Sequence, residues 1–89
     1  MVTVTLYTSS ATGMLKIKKD QSALKTLLEA KGIQYTEYDV ASDQAQREHM
    51  KKTSGKTELP QLFVNDKFVG LYDDLQALEE IGQFSDLFK

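Results

Sequence analysis

The chemistry open to this chain is defined first by something missing: its 89 residues contain no cysteine. Disulfide staples, thiolate metal ligands and thiol catalysis are therefore all closed to it. The lone histidine, His49, has no carboxylate–histidine spacing around it that would build a metal site. It reads as a surface residue of a polar helix. Three features remain. Ser9-Ser10-Ala11-Thr12-Gly13 is a loop of small and hydroxyl residues whose N–H groups could hold a small anion. Asp73-Asp74 opens a helix, where carboxylates complement the positive helix end and suit an ammonium group. Pro60, the sole proline, stands just before the strand signal Leu62-Phe63-Val64, and an X-Pro bond adopts the cis form cheaply. Each feature also has a plain structural reading. Asp73 and Asp74 serve as helix caps in any case, Pro60 can simply shape a turn, and Lys16, Lys18 and Lys19 form a solvated helix face.

The elements that must position these residues follow from the hydrophobic pattern. Val2 to Thr8 alternates β-branched and aromatic residues, which predicts a strand with Val2, Val4 and Leu6 on one face and Tyr7 on the other. A helical pattern runs from Thr12 through Met14, Ile17, Leu24, Leu27 and Leu28 to Lys31, and stops at Gly32. Ile33 to Val40 is a second strand, so a right-handed parallel crossover is expected. Ser42 is the expected N-cap of a polar helix from Asp43 to about Thr53 that ends at Gly55 and has a thin apolar face, chiefly Ala45 and Met50. Asn65-Asp66 makes a tight hairpin turn that tolerates left-handed backbone, leading into Lys67-Phe68-Val69. Asp73, with Gln76 three residues on, is the expected cap of a last helix through Leu75, Leu78 and Ile81. Phe84 and Phe88 in a final turn are expected to cover the core, and Tyr7 and Tyr35 to pack. The order is β-α-β-α-β-β-α.

The run Glu58-Leu59-Pro60-Gln61-Leu62-Phe63-Val64, followed by Gly70-Leu71-Tyr72-Asp73-Asp74, resembles the glutaredoxin branch of the thioredoxin fold. In that family a cis-proline leads the third strand and a Gly-Gly-x-Asp-Asp motif follows the fourth. The resemblance covers nearly the whole chain. It implies an α/β, thioredoxin-like (glutaredoxin) fold: a four-stranded mixed sheet flanked by helices, one domain over residues 1–89. In a glutaredoxin the nucleophilic cysteine would fall near Thr12. Nothing between Ser9 and Met14 forms a thiolate, and a hydroxyl cannot make the mixed disulfide that exchange requires. The altered loop, together with a longer lysine-bearing segment from Lys16 to Gln21, resembles the SH3-domain-binding glutamic-acid-rich-like proteins, small glutaredoxin-fold members without catalytic cysteines. The proline-rich segment that gives that family its name is absent, so a polyproline ligand for SH3 domains has no support here.

What the resemblance implies for a site is a remnant glutathione groove built from Thr12, Gly13, Leu59, Pro60, Tyr72, Asp73 and Asp74. The main chain of Leu59 would pair in β fashion with the tripeptide, and the helix start after Tyr72, with Asp74 and Asp73, would meet its γ-glutamyl end. Leu71 stands where the family has a second glycine, and no lysine precedes the loop to hold the glycyl carboxylate. Glutathione binding is therefore expected to be weak, and no cofactor or metal is expected. The leading expectation is a redox-inactive adaptor or modulator that binds protein partners through this groove. The alternatives are a non-catalytic glutathione-binding sensor, transferase-like chemistry in which Ser9, Ser10 or Thr12 hydrogen-bonds a ligand thiolate, and an engineered glutaredoxin carrying a substituted active-site loop.

Composition sets the remaining bounds. Hydrophobic content of 40% and charged content of 27% are those of an ordinary globular domain, near the lower size limit for an autonomous core. A net charge of −2 offers no attraction to nucleic acid or to an anionic membrane. No apolar run approaches the ~20 residues of a membrane span, and the start lacks a secretory signal pattern. The cytoplasm is the expected compartment.

Overall fold

The computed structural model describes residues 2–88. Strand β1 (Val4–Thr8) leads through helix α1 (Leu15–Ala30) to β2 (Thr36–Asp39), and helix α2 (Gln44–Ser54) leads to the hairpin β3 (Gln61–Val64) and β4 (Lys67–Leu71). Helix α3 (Tyr72–Glu80) and a 3-10 turn (Phe84–Phe88) follow. The sheet order is β2-β1-β3-β4, with β1 parallel to β2 and the other pairs antiparallel. This is the mixed four-stranded sheet expected of a glutaredoxin.

Alternation along the strands divides the core. Val4, Leu6 and Leu62 pack with Leu24 and Leu28 of α1, Leu75 of α3 and Phe84. Tyr7 and Phe63 point the other way and pack with Val40, just past β2, and with Met50 of α2. Their rings meet edge to face with centroids 5.0 Å apart. Helices α1 and α3 thus cover one face of the sheet and α2 the other. Each fully buried leucine contributes about 1.5–3 kcal/mol against exposure. Phe84 is fully buried, Phe88 is half-buried against it, and Tyr35 packs on the first cluster, as the pattern predicts. Of the two apolar residues expected to seat α2, Met50 is buried and Ala45 is exposed.

Element ends depart from expectation where several polar side chains compete for the same backbone groups. Helix α1 begins at Leu15, three residues later than expected, because the Thr12 hydroxyl accepts the Met14 N–H at 3.3 Å and holds a turn before the helix. Asp43, not Ser42, caps α2: its carboxylate accepts the Gln46 N–H at 3.1 Å. Ser42 instead donates its N–H and its hydroxyl to the Asp39 carbonyl. Helix α3 starts one residue before Asp73, and Asp74 performs the capping by accepting the Leu71 N–H at 3.1 Å. That is half a capping box, since Leu71 has no side-chain oxygen to complete it. Gln76 accepts the Tyr72 hydroxyl rather than a backbone group. The second strand is shorter than predicted, covering Thr36–Asp39 only.

The hairpin turn follows expectation, with Asn65 (φ 53°) and Asp66 (φ 65°) both left-handed. Gly70 is where close approach demands glycine. A Cβ there would lie 3.1 Å from Asp74 Cβ and 3.5 Å from Leu75 Cδ2, so any side chain at this position would push the start of α3 back from β4 by a few tenths of an ångström.

Candidate functional site

The site is built where the segment before β3 meets the amino ends of α1 and α3. The Leu59–Pro60 peptide is cis and Pro60 is buried. Gln61, wholly buried, donates from Nε2 to the carbonyls of Glu58 (2.8 Å) and Lys56 (3.0 Å), which fastens the segment carrying Leu59 to the sheet. A groove of about 390 Å³ opens beside it. Met14, Ile17, Leu59, Leu71 and Tyr72 give it an apolar lining, and Lys16, Asp20, Glu58 and Asp73 supply its charges. A second hollow of about 290 Å³ shares Leu59 and is lined by Ser9, Ala11 and Thr57 together with Val40, Ala41, Met50 and Arg47.

Three of the sequence-predicted residues, Leu59, Tyr72 and Asp73, come together on the main groove. Pro60 stands next to them in the chain, buried in the core side of the segment. Asp74 lies one residue past the groove with its carboxylate engaged by the Leu71 N–H. Thr12 and Gly13 line neither hollow; the chain reaches the groove only at Met14.

The loop after β1 is tied down internally. Ser9 N–H donates to Gln21 Oε1 (2.8 Å), Ser10 N–H to Asp39 Oδ1 (3.0 Å) and Ala11 N–H to Ser9 Oγ (3.3 Å). With Met14 N–H held by Thr12, the loop keeps few donors for an anion. The Ser10 hydroxyl also donates to Asp39, and this bond, followed by the N–H groups of Ser10 and Ala41, holds the Asp39 carboxyl below the usual aspartate range. Behind the loop, burial works to raise the Glu37 carboxyl, but bonds from Lys25 (2.8 Å) and Thr8 (2.7 Å) outweigh it and leave the group lowered.

At the groove itself, Lys16 Nζ sits 2.7 Å from Asp20 and 3.6 Å from Asp73, bridging the first turns of α1 and α3. The bond to Asp20 is the main reason the ammonium pKa is raised. Met14 and its neighbour Leu15 remain 61% and 63% exposed, an apolar brow beside the groove.

Sequence reasoning missed Met14, Lys16 and Ile17 as site residues because helical periodicity assigns them to packing or to a solvated face. The signal that could have found them is position, since the first turn of α1 follows the loop directly. Arg47 was missed for a similar reason: on a polar helix an arginine is unremarked until the fold brings it near Ser9 and Thr57. His49 is half-buried and lies 2.8 Å from Asp66 in the hairpin turn, away from both hollows. Among the described residues no group of histidine and carboxylate side chains could hold a metal ion, and no helix is long and apolar enough to cross a membrane.

Chemically, the arrangement offers an apolar trough with charged borders and a main-chain segment held from behind. It places no nucleophilic sulfur anywhere, since the chain has none.

Known proteins share this frame. Glutaredoxin 3 of Escherichia coli (strain K12) is 40% identical over 65 residues, which covers 73% of this chain and 78% of that one. The actin interacting protein Aip5 of C. albicans superposes with a TM-score of 0.82 at 21% identity, covering 98% of this chain and 88% of that chain. A buckwheat glutaredoxin–glutathione complex superposes with a TM-score of 0.76 at 16% identity, covering 98% and 76%. The two structural likenesses establish the fold. The model of the family described as SH3-binding, glutamic acid-rich protein matches residues 2–89. The chain therefore belongs to the SH3-binding, glutamic acid-rich protein family, as a glutaredoxin-like member of the thioredoxin fold.

Proposed function

We infer that this chain is a redox-inactive glutaredoxin-like protein that acts in the cytoplasm as a protein-binding adaptor or modulator through the groove beside Leu59. One observation carries the reading. Leu59, Tyr72 and Asp73 are assembled on a mostly apolar groove, while the loop that would bear the nucleophile contains only Ser, Ala, Thr and Gly and is bonded to its own surroundings. An apolar trough suits the side chains of a partner segment, and a protein-binding role agrees with the family's description. Without a cysteine thiol in the chain, thiol–disulfide turnover has no route. In a glutathione-coupled disulfide reductase assay the pure protein is expected to match the blank. Turnover above it overturns the reading.

A second reading is a non-catalytic glutathione sensor. Arg47 favours it, as a cation on the hollow that shares Leu59 and within reach of a ligand carboxylate there. An NMR titration separates the two. Shifts confined to residues 9–13, 47, 57–60 and 71–75 at millimolar glutathione favour the sensor, and their absence leaves the adaptor alone.

A further inference from the structure

The adaptor reading leaves the chemistry of the partner open, and the charges around the groove narrow it. Three carboxylates, Asp20, Glu58 and Asp73, line the groove against one ammonium, Lys16, a formal balance of −2. Lys16 is already shared between Asp20 and Asp73. Glu58 is exposed and has no ion-pair partner among the described residues. The amino ends of α1 and α3 oppose this with roughly half a positive charge each. Asp74, one residue past the groove and itself spent on the Leu71 N–H, tempers the end to which it is bonded. The balance stays negative.

An anionic ligand is therefore disfavoured here. Glutathione itself carries two carboxylates and one ammonium at neutral pH, so it meets net repulsion at Glu58. The lining, by contrast, is aliphatic and aromatic, from Met14, Ile17, Leu59, Leu71 and Tyr72. A groove of this size is at the small end for a ligand site, so it takes a short stretch of side chains rather than a folded face.

We propose that the groove beside Leu59 takes an extended peptide segment of a partner in which an apolar side chain is flanked by lysine or arginine. The apolar side chain lies against Leu59, Leu71 and Tyr72, and the neighbouring cation pairs with Glu58 at the rim. This rests on the adaptor reading and adds the class of sequence that would be held. Charge complementarity of this kind sets selectivity and encounter rate more than bulk affinity.

The test uses three fluorescently labelled peptides: Ac-Gly-Lys-Leu-Lys-Gly-amide, its glutamate counterpart Ac-Gly-Glu-Leu-Glu-Gly-amide, and Ac-Gly-Lys-Gly-Lys-Gly-amide without the apolar residue. Binding is followed by anisotropy and by amide shifts of the 89-residue protein. The lysine–leucine peptide is expected to bind about tenfold tighter than the glutamate one and to shift Met14, Leu59 and Tyr72. Glu58→Lys, at an exposed position that the fold does not depend on, is expected to invert that preference while the spectrum keeps its dispersion. Groove shifts of equal size with the lysine and glutamate peptides overturn the charge selectivity and leave the adaptor reading standing. Equal binding of the leucine-free peptide overturns the apolar contact. Shifts with none of the three overturn the proposal, whereas the adaptor reading stands or falls with the reductase assay.

Discussion

Gln61 holds the carbonyl of Glu58 at 2.8 Å from the far side of the proline, and that one bond fixes the height of Leu59 above the sheet. The same amide group also takes the Lys56 carbonyl, so two carbonyls of an irregular segment hang from one buried side chain. Its Oε1 is buried without a protein partner. The arrangement makes Gln61 a positioning residue for the groove. It touches the backbone that carries the lining residue, not the space a ligand would occupy.

Replacing Gln61 with alanine leaves two carbonyls without their donor and opens space behind the segment. A loss of about 2–3 kcal/mol in urea unfolding is expected. The amide shifts should spread over residues 56–60 and spare α1. A destabilisation confined to the far core, with residues 56–60 unmoved, would show that the clamp is not what holds this segment.

Gly70→Ala tests the close approach of α3 to β4. The new Cβ would sit 3.1 Å from Asp74 Cβ, a backbone-anchored atom with little room to yield. A cost of about 1–3 kcal/mol is expected, with a shifted Leu71 amide as α3 tilts away. A neutral substitution, with the Leu71 amide in place, would mean that the helix start is looser than its geometry implies.

The two neighbouring aspartates are expected to behave differently. Asp74 satisfies the Leu71 N–H, so Asp74→Ala should cost about 1 kcal/mol as a lost cap. Asp73 pairs with Lys16 at 3.6 Å across two exposed side chains, 80% and 65% accessible. Exposed pairs of this kind contribute ~0–1 kcal/mol, so Asp73→Asn should leave the unfolding midpoint almost unchanged. It should alter ligand selectivity instead, because it removes one of the groove's three carboxylates. Thermal or urea melts of the two variants side by side decide this, and a reversed order would refute the assignment of roles.

Much of this site can be read before any coordinates exist, because its fixed points are residues whose backbone behaviour is restrictive. Pro60 and the Asn65-Asp66 pair each tolerate few alternatives, and each stands where its chemistry predicts. The alternating strand Val4 to Tyr7 likewise assigns its own two faces. Helix starts are harder. Ser42 and Asp43 are both good caps, and only the turn that ties Ser42 to the Asp39 carbonyl selects between them. Thr12 could open a helix, yet its hydroxyl takes Met14's N–H and delays it. The groove lining is the least legible part. Met14 and Ile17 look like core residues in one dimension, and the unfilled space beside them is a property of how α1 meets α3 and the Leu59 segment.

The Asp39 carboxylate gives the pH prediction, with its sign set by the direction of its shift. Its pKa is lowered from the usual 3.8, first by the Ser10 hydroxyl and then by the Ser10 N–H. A carboxyl lowered on folding contributes stability that is fully present above its unfolded pKa. That contribution disappears as the pH falls through the folded value. The loop after β1 should therefore stay fastened to the end of β2 at neutral pH and loosen only in strong acid. Faster hydrogen exchange at the Ser10 and Ala41 amides, beyond the intrinsic pH trend, would report the release. Ser10→Ala removes the largest cause, so the Asp39 side-chain carbon should then titrate closer to 3.8. An unchanged titration in that variant would show that the hydroxyl does not hold the carboxylate.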